Sequence, residues 1–355
     1  MAVVKAVASA VAGGTATLAC CRAAAFPIYL QAPAVLLGSF ASLIYYVRVW
    51  IQGFYFDKRC TTDANLEGRV AVVTGGTVGG LGFAAAEILA RLGAKVVVTV
   101  RSDAKGEESV AKLKLSTGNP RCSYIIVDFL SKASVRHGAA AISSAHSRLD
   151  MLVLNAGVGS GPAADLWMSN VVGPFLFTEI LTPLLTHTAK VHGDVRVVSV
   201  SSGAHKKAAI NFSQPYESPE NGPFSGPYGQ SKLAQIMHMR ELQRRLRAAA
   251  PDSQLAAETS LRCISVTPGF ALTNIAAGKI PTPVLPLVWL LARSPHTAAH
   301  VIKMACVDPN VPGGSYLSNC GVKASEGADG CSNQREVWRA LWELLEKCGE
   351  DARYP

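Results

Sequence analysis

Tyr228 and Lys232 are the residues of this sequence best suited to acid–base chemistry. They stand four apart in Tyr228-Gly229-Gln230-Ser231-Lys232, a spacing that places both side chains on one face of a helix. A nearby ammonium favours the tyrosinate and lowers the pKa of the phenol, so the phenol can give or take a proton near working pH. Ser202 adds a hydroxyl that can donate a hydrogen bond to a carbonyl or alkoxide oxygen. A Tyr-x-x-x-Lys pattern is common, so the hypothesis depends on the elements around it.

A nucleotide-binding unit is predicted between residues 70 and 100. Val70–Val73 reads as a strand, Phe83 to Leu92 have helical apolar spacing, and Lys95–Val100 reads as a second strand. A glycine-rich turn, Thr74-Gly75-Gly76-Thr77-Val78-Gly79-Gly80-Leu81-Gly82, joins the first strand to the helix. Glycines let a pyrophosphate approach the backbone, and the helix N-terminus supplies amide donors. The order strand, turn, helix, strand therefore predicts a dinucleotide site.

The strand pattern continues along the chain, and each strand ends in a polar or glycine signature. The further strands are Ser123–Val127 before Asp128, Met151–Leu154 before Asn155-Ala156-Gly157, Val195–Val200 before Ser201-Ser202, and Cys263–Val266 before Thr267-Pro268-Gly269. Ligands bind at the carboxyl ends of the strands in a doubly wound sheet. The predicted fold class is α/β, a doubly wound parallel sheet (Rossmann fold), preceded by an N-terminal membrane anchor.

The composition limits the class of protein. Of the 355 residues, 49% are hydrophobic and only 17% are charged, which excludes an intrinsically disordered chain. The net charge of +9 is spread without a block of like charges, so the balance suits a membrane surface or an anionic cofactor and predicts no nucleic-acid partner. The nine cysteines include no C-x-x-C pair, so we expect a reducing compartment and no metal site.

The low charge is concentrated near the N-terminus. Ala23 to Val47 contains no charged residue and exceeds the roughly 20 residues that span a bilayer core. Ala6 to Cys21 could be a second span or the core of a signal peptide, but no clean cleavage site follows, which favours an uncleaved anchor. A buried core helix of a soluble protein is the alternative. We therefore predict an anchor over residues 1–51, a linker over 52–66 and a catalytic domain over 67–355.

The charges that flank this stretch predict its orientation. Arg48, Lys58 and Arg59 follow it, whereas only Lys5 and Arg22 precede it. The excess of basic residues after the span weakly favours a domain that faces the cytosol. The predicted location is an intracellular membrane such as the endoplasmic reticulum.

Taken together, these motifs resemble the short-chain dehydrogenase/reductase family, particularly its membrane-anchored retinol dehydrogenase-like branch. The resemblance extends from Leu66 to Lys347. It implies that Tyr228 is the general acid/base, that Ser202 polarises the carbonyl, and that Lys232 holds the nicotinamide ribose and tunes the tyrosine. Asn170, in Asn170-Val171-Val172-Gly173-Pro174-Phe175, matches the asparagine that starts a proton relay through water.

The same resemblance assigns residues to the cofactor. It implies that Asn155 lines the cofactor cleft, that Asp128 contacts adenine and that Thr273 bonds the carboxamide, in addition to Tyr228 and Lys232. The homodimer that many members of the fold form is a further partner that the resemblance allows, although no face for it is identified.

The glycine turn departs from the family pattern T-G-x-x-x-G-x-G because it is one residue longer. In one alignment Gly79 takes the middle place and Leu81 falls where glycine is expected. In the other, one residue is inserted and Gly80 and Gly82 are the partners of Gly75. We prefer the second alignment, because Gly80-Leu81-Gly82 opens the helix as the family's glycines do.

The residue after the second strand bears on the choice of cofactor. An NAD site places Asp or Glu there to bind the ribose hydroxyls, whereas this chain has Arg101. A guanidinium suits a 2′-phosphate, so we predict NADP(H); a solvated surface arginine is the alternative.

The predicted function is hydride transfer between NADP(H) and a lipophilic alcohol or carbonyl, with membrane lipid as a second partner. The resemblance ranks retinoids first, then sterols and steroids, then fatty or polyprenoid aldehydes. The apolar stretch Ile280 to Leu291 agrees with a greasy substrate or a membrane-facing surface. The alternative is a non-catalytic, membrane-bound cofactor-binding scaffold in which the longer glycine turn has disabled the site.

Overall fold

The computed structural model describes residues 15–16, 38–40, 42–47, 60–212, 226–249, 260–271, 292–329 and 334–350. The chain divides into two compact units, one formed by Met1–Lys58 with Pro281–Arg293 and the other by Arg59–Ile280 with Ser294–Pro355. In the first unit a short helix, Gly38–Val47, exposes the apolar side chains of Phe40 and Tyr45. Apart from residues 15–16, the rest of the predicted anchor lies outside the described residues, as does the segment from Ile280 to Leu291.

The second unit contains an eight-stranded sheet in the order β3-β2-β1-β4-β5-β6-β7-β8. Neighbouring strands are parallel except for β7 and β8, which are antiparallel. This order, with helical crossovers, is the doubly wound arrangement that the sequence predicts. The strands are β1 Val70–Val73, β2 Lys95–Val100, β3 Cys122–Ile126, β4 Met151–Leu154, β5 Val195–Val200, β6 Leu261–Thr267, β7 Tyr316–Ser318 and β8 Val322–Lys323.

Two predicted strands differ from the observed ones at their ends. β3 begins and ends one residue earlier than predicted, at Cys122 and Ile126. β6 begins at Leu261 and ends at Thr267, because its pairing with β5 starts at Leu261 and includes the polar Arg262. Backbone pairing, rather than the apolar pattern, determines where these strands end.

Helices cover both faces of the sheet. The helices are α1 Leu81–Arg91, α2 Asp103–Thr117, α3 Lys132–Ala145, α4 Ala163–Trp167, α5 Gly173–His192, α6 Pro227–Ala248, α7 Pro295–Val307, α8 Glu326–Asp329 and α9 Gln334–Glu350. A π-helical turn, Met168–Val172, joins α4 to α5, and a 3₁₀ helix, Gly203–Lys207, follows β5. One apolar core lies between the sheet and α1, α2 and α7. The other lies between the sheet and α3, α5, α6 and α9.

One continuous helical stretch in the described part of the chain, Ala163–His192, is long and apolar enough to cross a membrane. However, 72% of its most apolar window is buried inside the fold, and Phe177, Leu181 and Leu185 belong to the core. We therefore assign this stretch to the interior of the catalytic unit.

The C-terminal helix α9 packs on its own domain. Its periodic apolar residues Leu341, Trp342 and Leu345 are buried in the same core as α5 and α6. Packing against its own domain therefore accounts for the helical spacing of these apolar residues.

Candidate active site

The glycine-rich turn after β1 is held against β2. Gly75 and Gly79 have φ angles of +70° and +79°, which L side chains rarely adopt. The backbone amide of Gly75 donates to Thr99 Oγ1 at 3.2 Å and that of Gly76 to the Thr99 carbonyl at 3.1 Å. Gly80 is the N-cap of α1, so the unbonded amides of the first helical turn follow the turn directly.

Gly82 allows α1 to begin against the ends of β1 and β4. A Cβ atom on Gly82 would lie 2.4 Å from Asn155 Nδ2 and 2.5 Å from the Gly75 carbonyl oxygen. This close approach is the one that the last glycine of a dinucleotide turn makes possible. The backbone therefore favours the alignment in which Gly80 and Gly82 are the partners of Gly75.

Asn155, predicted to line the cofactor cleft, braces the turn. Its amide nitrogen donates to the carbonyls of Thr74 and Gly75 at 2.9 and 3.3 Å. Thr74 Oγ1 in turn accepts from the backbone amides of Asn155 and Ala156. The side chain thus fixes the shape of the turn from the end of β4.

Arg101 and Asp128 follow the neighbouring strands β2 and β3. Arg101 is exposed just beyond β2, as a residue that reaches an incoming phosphate must be. Asp128 is half-buried, and its Oδ1 accepts from the amide of Leu130 at 3.1 Å. Thr273 lies outside the described residues.

The Ser202 hydroxyl lies close enough to the Tyr228 phenol to lower the pKa of the phenol by hydrogen bonding. Ser202 follows β5 and caps the 3₁₀ helix, its Oγ accepting from the Ala204 amide at 3.3 Å. Tyr228 lies in the first turn of α6, directly after Pro227 at the helix start, where proline is favoured. A hydroxyl and a phenol therefore meet at the carboxyl edge of the sheet.

Lys232 lies one turn further along α6 and is buried. Its Nζ donates to the Val200 carbonyl at 3.0 Å and to Gln235 Oε1 at 3.1 Å. The same nitrogen lies 5.5 Å from the centroid of the Tyr228 ring. The predicted pair thus shares one face of the helix.

The pKa shifts of this pair differ from the expectation that the ammonium lowers the pKa of the phenol. Burial raises the pKa of Tyr228, against an opposing effect of the hydrogen bond from Ser202. Burial also lowers the pKa of Lys232 to about 7. A low-dielectric site disfavours both charged forms. The expectation differs from the structure because the fold buries both groups, which the spacing of two residues in the sequence does not reveal.

Asn170 lies in the π-helical turn and is fully buried. Its Oδ1 accepts from the Val158 amide at 2.8 Å, and its Nδ2 donates to the Val158 carbonyl and to Ser231 Oγ. The side chain therefore joins the segment after β4 to α6, next to Lys232. A Cβ on Gly157 would lie 2.8 Å from Asn170 Oδ1, so this crossing requires a glycine.

The sequence interpretation missed Gln235, which contacts two of the predicted site residues. A signal for it was available, because positions 228, 232 and 235 have the i, i+4, i+7 spacing of one helix face. Ser231 was also missed; its Oγ donates to the Tyr228 carbonyl at 2.8 Å.

The family profile described as short chain dehydrogenase matches residues 69–282. The chain belongs to this family. The match includes the glycine turn, the π-helical turn and α6, and it identifies the chain as an oxidoreductase.

Three curated relatives confirm the retinol dehydrogenase-like branch. Dehydrogenase/reductase SDR family member 13 from Bos taurus is 34% identical, with 90% of this chain and 82% of the relative covered. Polyprenol dehydrogenase from Homo sapiens is 32% identical, with 71% and 77% covered. Retinol dehydrogenase 12 from Mus musculus is 29% identical, with 88% and 97% covered.

Solved structures share the fold. An uncharacterized protein from Mycobacterium paratuberculosis has a TM-score of 0.60 at 28% identity, with 82% of this chain and 97% of that chain covered. A short chain dehydrogenase from Shigella flexneri complexed with NADP has a TM-score of 0.52 at 22% identity, covering 73% and 100%. A 3-ketoacyl-(acyl-carrier-protein) reductase from Brucella melitensis complexed with NADH has a TM-score of 0.55 at 23% identity, covering 72% and 97%. The fold thus accommodates both dinucleotides, and the choice between them falls to individual residues.

Proposed function

We propose that this family member is a membrane-anchored, NADP(H)-dependent oxidoreductase acting on a lipophilic alcohol/carbonyl pair. The observation that carries the proposal is the meeting of Ser202, Tyr228, Lys232 and Asn170 at one edge of the sheet. This edge also carries the glycine turn. A hydroxyl, a phenol and a buried amine beside a dinucleotide turn form a site for proton transfer coupled to hydride transfer.

The residues of the turn fit a dinucleotide. Gly75 and Gly82 keep side chains away from the start of α1, where a Cβ on either would crowd the Asn155 amide. When bound, the nicotinamide supplies or accepts the hydride. The exposed Arg101 beyond β2 favours NADP(H), because its planar guanidinium matches a phosphate. Asp128 and Thr273 complete the proposed cofactor contacts.

The protein's part in the reaction is proton transfer. In the direction of reduction, the Tyr228 hydroxyl gives its proton to the substrate oxygen, and the Ser202 hydroxyl donates a hydrogen bond to that oxygen. Burial, which raises the pKa of Tyr228, keeps the phenol protonated at neutral pH and suits it to act as the acid. In oxidation the same phenolate oxygen takes the proton back.

Apolar side chains support a lipophilic substrate. Phe212, beyond the 3₁₀ helix that follows β5, and Phe270, beyond β6, are both exposed at this end of the sheet. Two of the relatives are named for retinol and polyprenol. We therefore rank retinoids first, then sterols and steroids, then fatty or polyprenoid aldehydes.

The apolar residues of the short helix Gly38–Val47 support the membrane anchor. Phe40 and Tyr45 are each 61% exposed, which is unfavourable in water for large side chains. We propose that residues 1–51 hold the protein on an intracellular membrane, such as the endoplasmic reticulum, with the catalytic domain facing the cytosol. The homodimer stays a prediction.

The test is turnover by the membrane-bound protein with all-trans-retinal, a ketosteroid and a long-chain aldehyde, each with NADPH and with NADH. Tyr228→Phe removes the proposed acid, so we expect kcat to fall by about 10²- to 10⁴-fold. Tyr124→Phe is the matched control, because Tyr124 is half-buried on β3 and its hydroxyl makes a solvent-exposed hydrogen bond to Asp103; its turnover should equal that of the wild type.

Turnover that prefers NADPH and disappears in Tyr228→Phe would uphold the proposal, and the order of the substrates would replace our ranking. Equal turnover by Tyr228→Phe and the wild type would contradict the role of the phenol. If the wild type neither turns over a substrate nor binds NADPH, the longer glycine turn has disabled the site, and the non-catalytic scaffold becomes the leading hypothesis.

A further inference from the structure

Gln235 contacts two members of the proposed catalytic set at once. It lies on α6 and is only 3% exposed. Its Nε2 donates to the backbone carbonyl of Asn170 at 2.7 Å, and its Oε1 accepts from Lys232 Nζ at 3.1 Å. The side chain therefore bridges the π-helical turn and the buried amine.

The chemistry of its partners fixes the orientation of this amide. The Asn170 carbonyl can only accept a hydrogen bond and an ammonium can only donate. The nitrogen of the Gln235 amide must therefore face Asn170, and the oxygen must face Lys232. Reversing the amide would place two acceptors together and two donors together, so a residue at this position needs both functions at the correct ends.

Building on the proposed function, we infer that Gln235 is a positioning residue that ties Lys232 directly to the Asn170 carbonyl. The family resemblance predicts a proton relay that starts at Asn170 and runs through water. In this chain the side-chain amide of Gln235 already links the Asn170 carbonyl to Lys232. An amide keeps both of its N–H protons, so Gln235 orients Lys232 rather than passing a proton along. Its Oε1 is also a second acceptor for the ammonium, beside the Val200 carbonyl.

The groups around Lys232 explain why the Gln235 acceptor should affect the protonation of this amine. The groups around Nζ are the Val200 carbonyl from β5, Gln235 and the ring of Tyr228. A Cβ added to Gly157, after β4, would lie 3.7 Å from Nζ. Among these groups, Tyr228 alone is titratable. With no carboxylate in this set, neutral acceptors decide how readily the buried amine holds its proton.

The decisive experiment compares Gln235→Met with Gln235→Glu in the pH profile of kcat/KM for all-trans-retinal and NADPH. Methionine keeps the volume but removes the acceptor, so the pKa of Lys232 falls. The alkaline limb should move to lower pH by about half a unit or more, and kcat should fall by about 10- to 100-fold, the effect of losing a hydrogen bond to a charged group. Glutamate places a carboxylate beside the amine and should move the limb to higher pH.

Gln243→Met is the matched control. Gln243 is 2% exposed on the same helix and also bridges two groups, accepting from the Cys263 amide and donating to the Leu261 carbonyl. Its loss should lower stability but leave the pH profile unchanged. If neither variant of Gln235 moves the limb, or if Gln243→Met moves it equally, Gln235 has a structural role only and the inference is wrong.

A measurement without turnover separates this inference from the proposed function. In urea unfolding, the free energy of unfolding rises with pH where unfolded Lys232 keeps a proton that folded Lys232 has lost, which begins near the folded pKa of about 7. This rise should begin at lower pH in Gln235→Met and at higher pH in Gln235→Glu. Opposite displacements would uphold the inference even if every substrate fails. Superimposed curves would overturn it even if the enzyme is active.

Discussion

At the scale of single residues, burial governs the proposed acid–base pair. Tyr228 and Lys232 lie one turn apart on the same face of α6, in a site that disfavours both the phenolate and the ammonium. The phenol therefore stays protonated at neutral pH, while the pKa of the amine is about 7. Lys232 Nζ lies 5.5 Å from the centroid of the Tyr228 ring. The pKa of the phenol is lowered by Ser202, not by the lysine.

Lys232 should leave a signature in the pH dependence of stability. Its pKa is about 7 in the folded chain and is near its usual value of 10.5 when unfolded. Over that range the unfolded state binds the extra proton, so stability rises with pH by up to about 1.4 kcal/mol per unit. As pH falls through this range that stability is lost. Lys232→Met should remove the rise and stabilise the protein below pH 7.

The measurement is urea unfolding from pH 6 to pH 9. The difference between wild type and variant is needed because burial raises the pKa of the thiols of Cys263 and Cys306, which opposes the rise at the alkaline end. Lys112→Met, at an exposed position on α2, is the control and should run parallel to wild type. A Lys232→Met curve parallel to wild type would show that Lys232 has an ordinary pKa.

At the scale of elements, the junction of β1, α1 and β4 forms the proposed cofactor site. Gly82→Ala places a methyl group against the Gly75 carbonyl and the Asn155 amide, both within 2.5 Å. Since Gly75 presents backbone there, α1 must move. We expect a loss of about 1–3 kcal/mol in stability and at least a tenfold weaker affinity for NADPH, measured by fluorescence titration.

Gly321→Ala serves as the comparison for this change. Its added Cβ would meet nothing closer than the Ser318 carbonyl at 3.9 Å, in the turn between β7 and β8. Stability and affinity for NADPH should stay close to those of the wild type. Equal NADPH affinity in Gly82→Ala and wild type would mean that the cofactor does not depend on this close approach.

The elements also show what the sequence could predict. β1, β2, β4 and β5 were predicted to the residue. β1, β2 and β5 are rich in β-branched residues, β4 is a short apolar run, and all four have clear ends. β6 was predicted too short because Arg262 pairs in the ladder despite its charge. The hydrogen bond from Gln235 to Asn170 could not be predicted, because Asn170 is 65 positions away in sequence and only the fold brings it near.

At the scale of the whole catalytic unit, α9 completes the core on one face of the sheet. The ring of Trp342 contacts that of Phe175 edge-on with centroids 5.1 Å apart. The Arg245 guanidinium lies over the Trp342 ring, 4.2 Å from its centroid. The indole Nε1 of Trp342 donates to Glu346 at 2.6 Å. One tryptophan thus joins α9 to α5 and α6.

Trp342→Ala should lower the free energy of unfolding by about 3–5 kcal/mol, because it leaves a large cavity in a closed core. Trp338→Ala, one turn earlier and only half-buried, should cost clearly less. Since neither residue belongs to the proposed site, the KM of the folded fraction should be unchanged. Chemical denaturation and steady-state kinetics would check both; a larger loss from Trp338→Ala would contradict the packing described for α9.

The position of α9 in the chain has a consequence for synthesis. Between Gly173 of α5 and Gln334 of α9 the ribosome must add about 160 residues, which takes on the order of 8–30 s at about 5–20 residues per second. During that interval the surface around Phe175 has emerged without the helix that covers it. Chaperones that bind exposed apolar surface would shield it, so the yield of this protein should depend more on the cell's chaperone capacity than its final stability suggests.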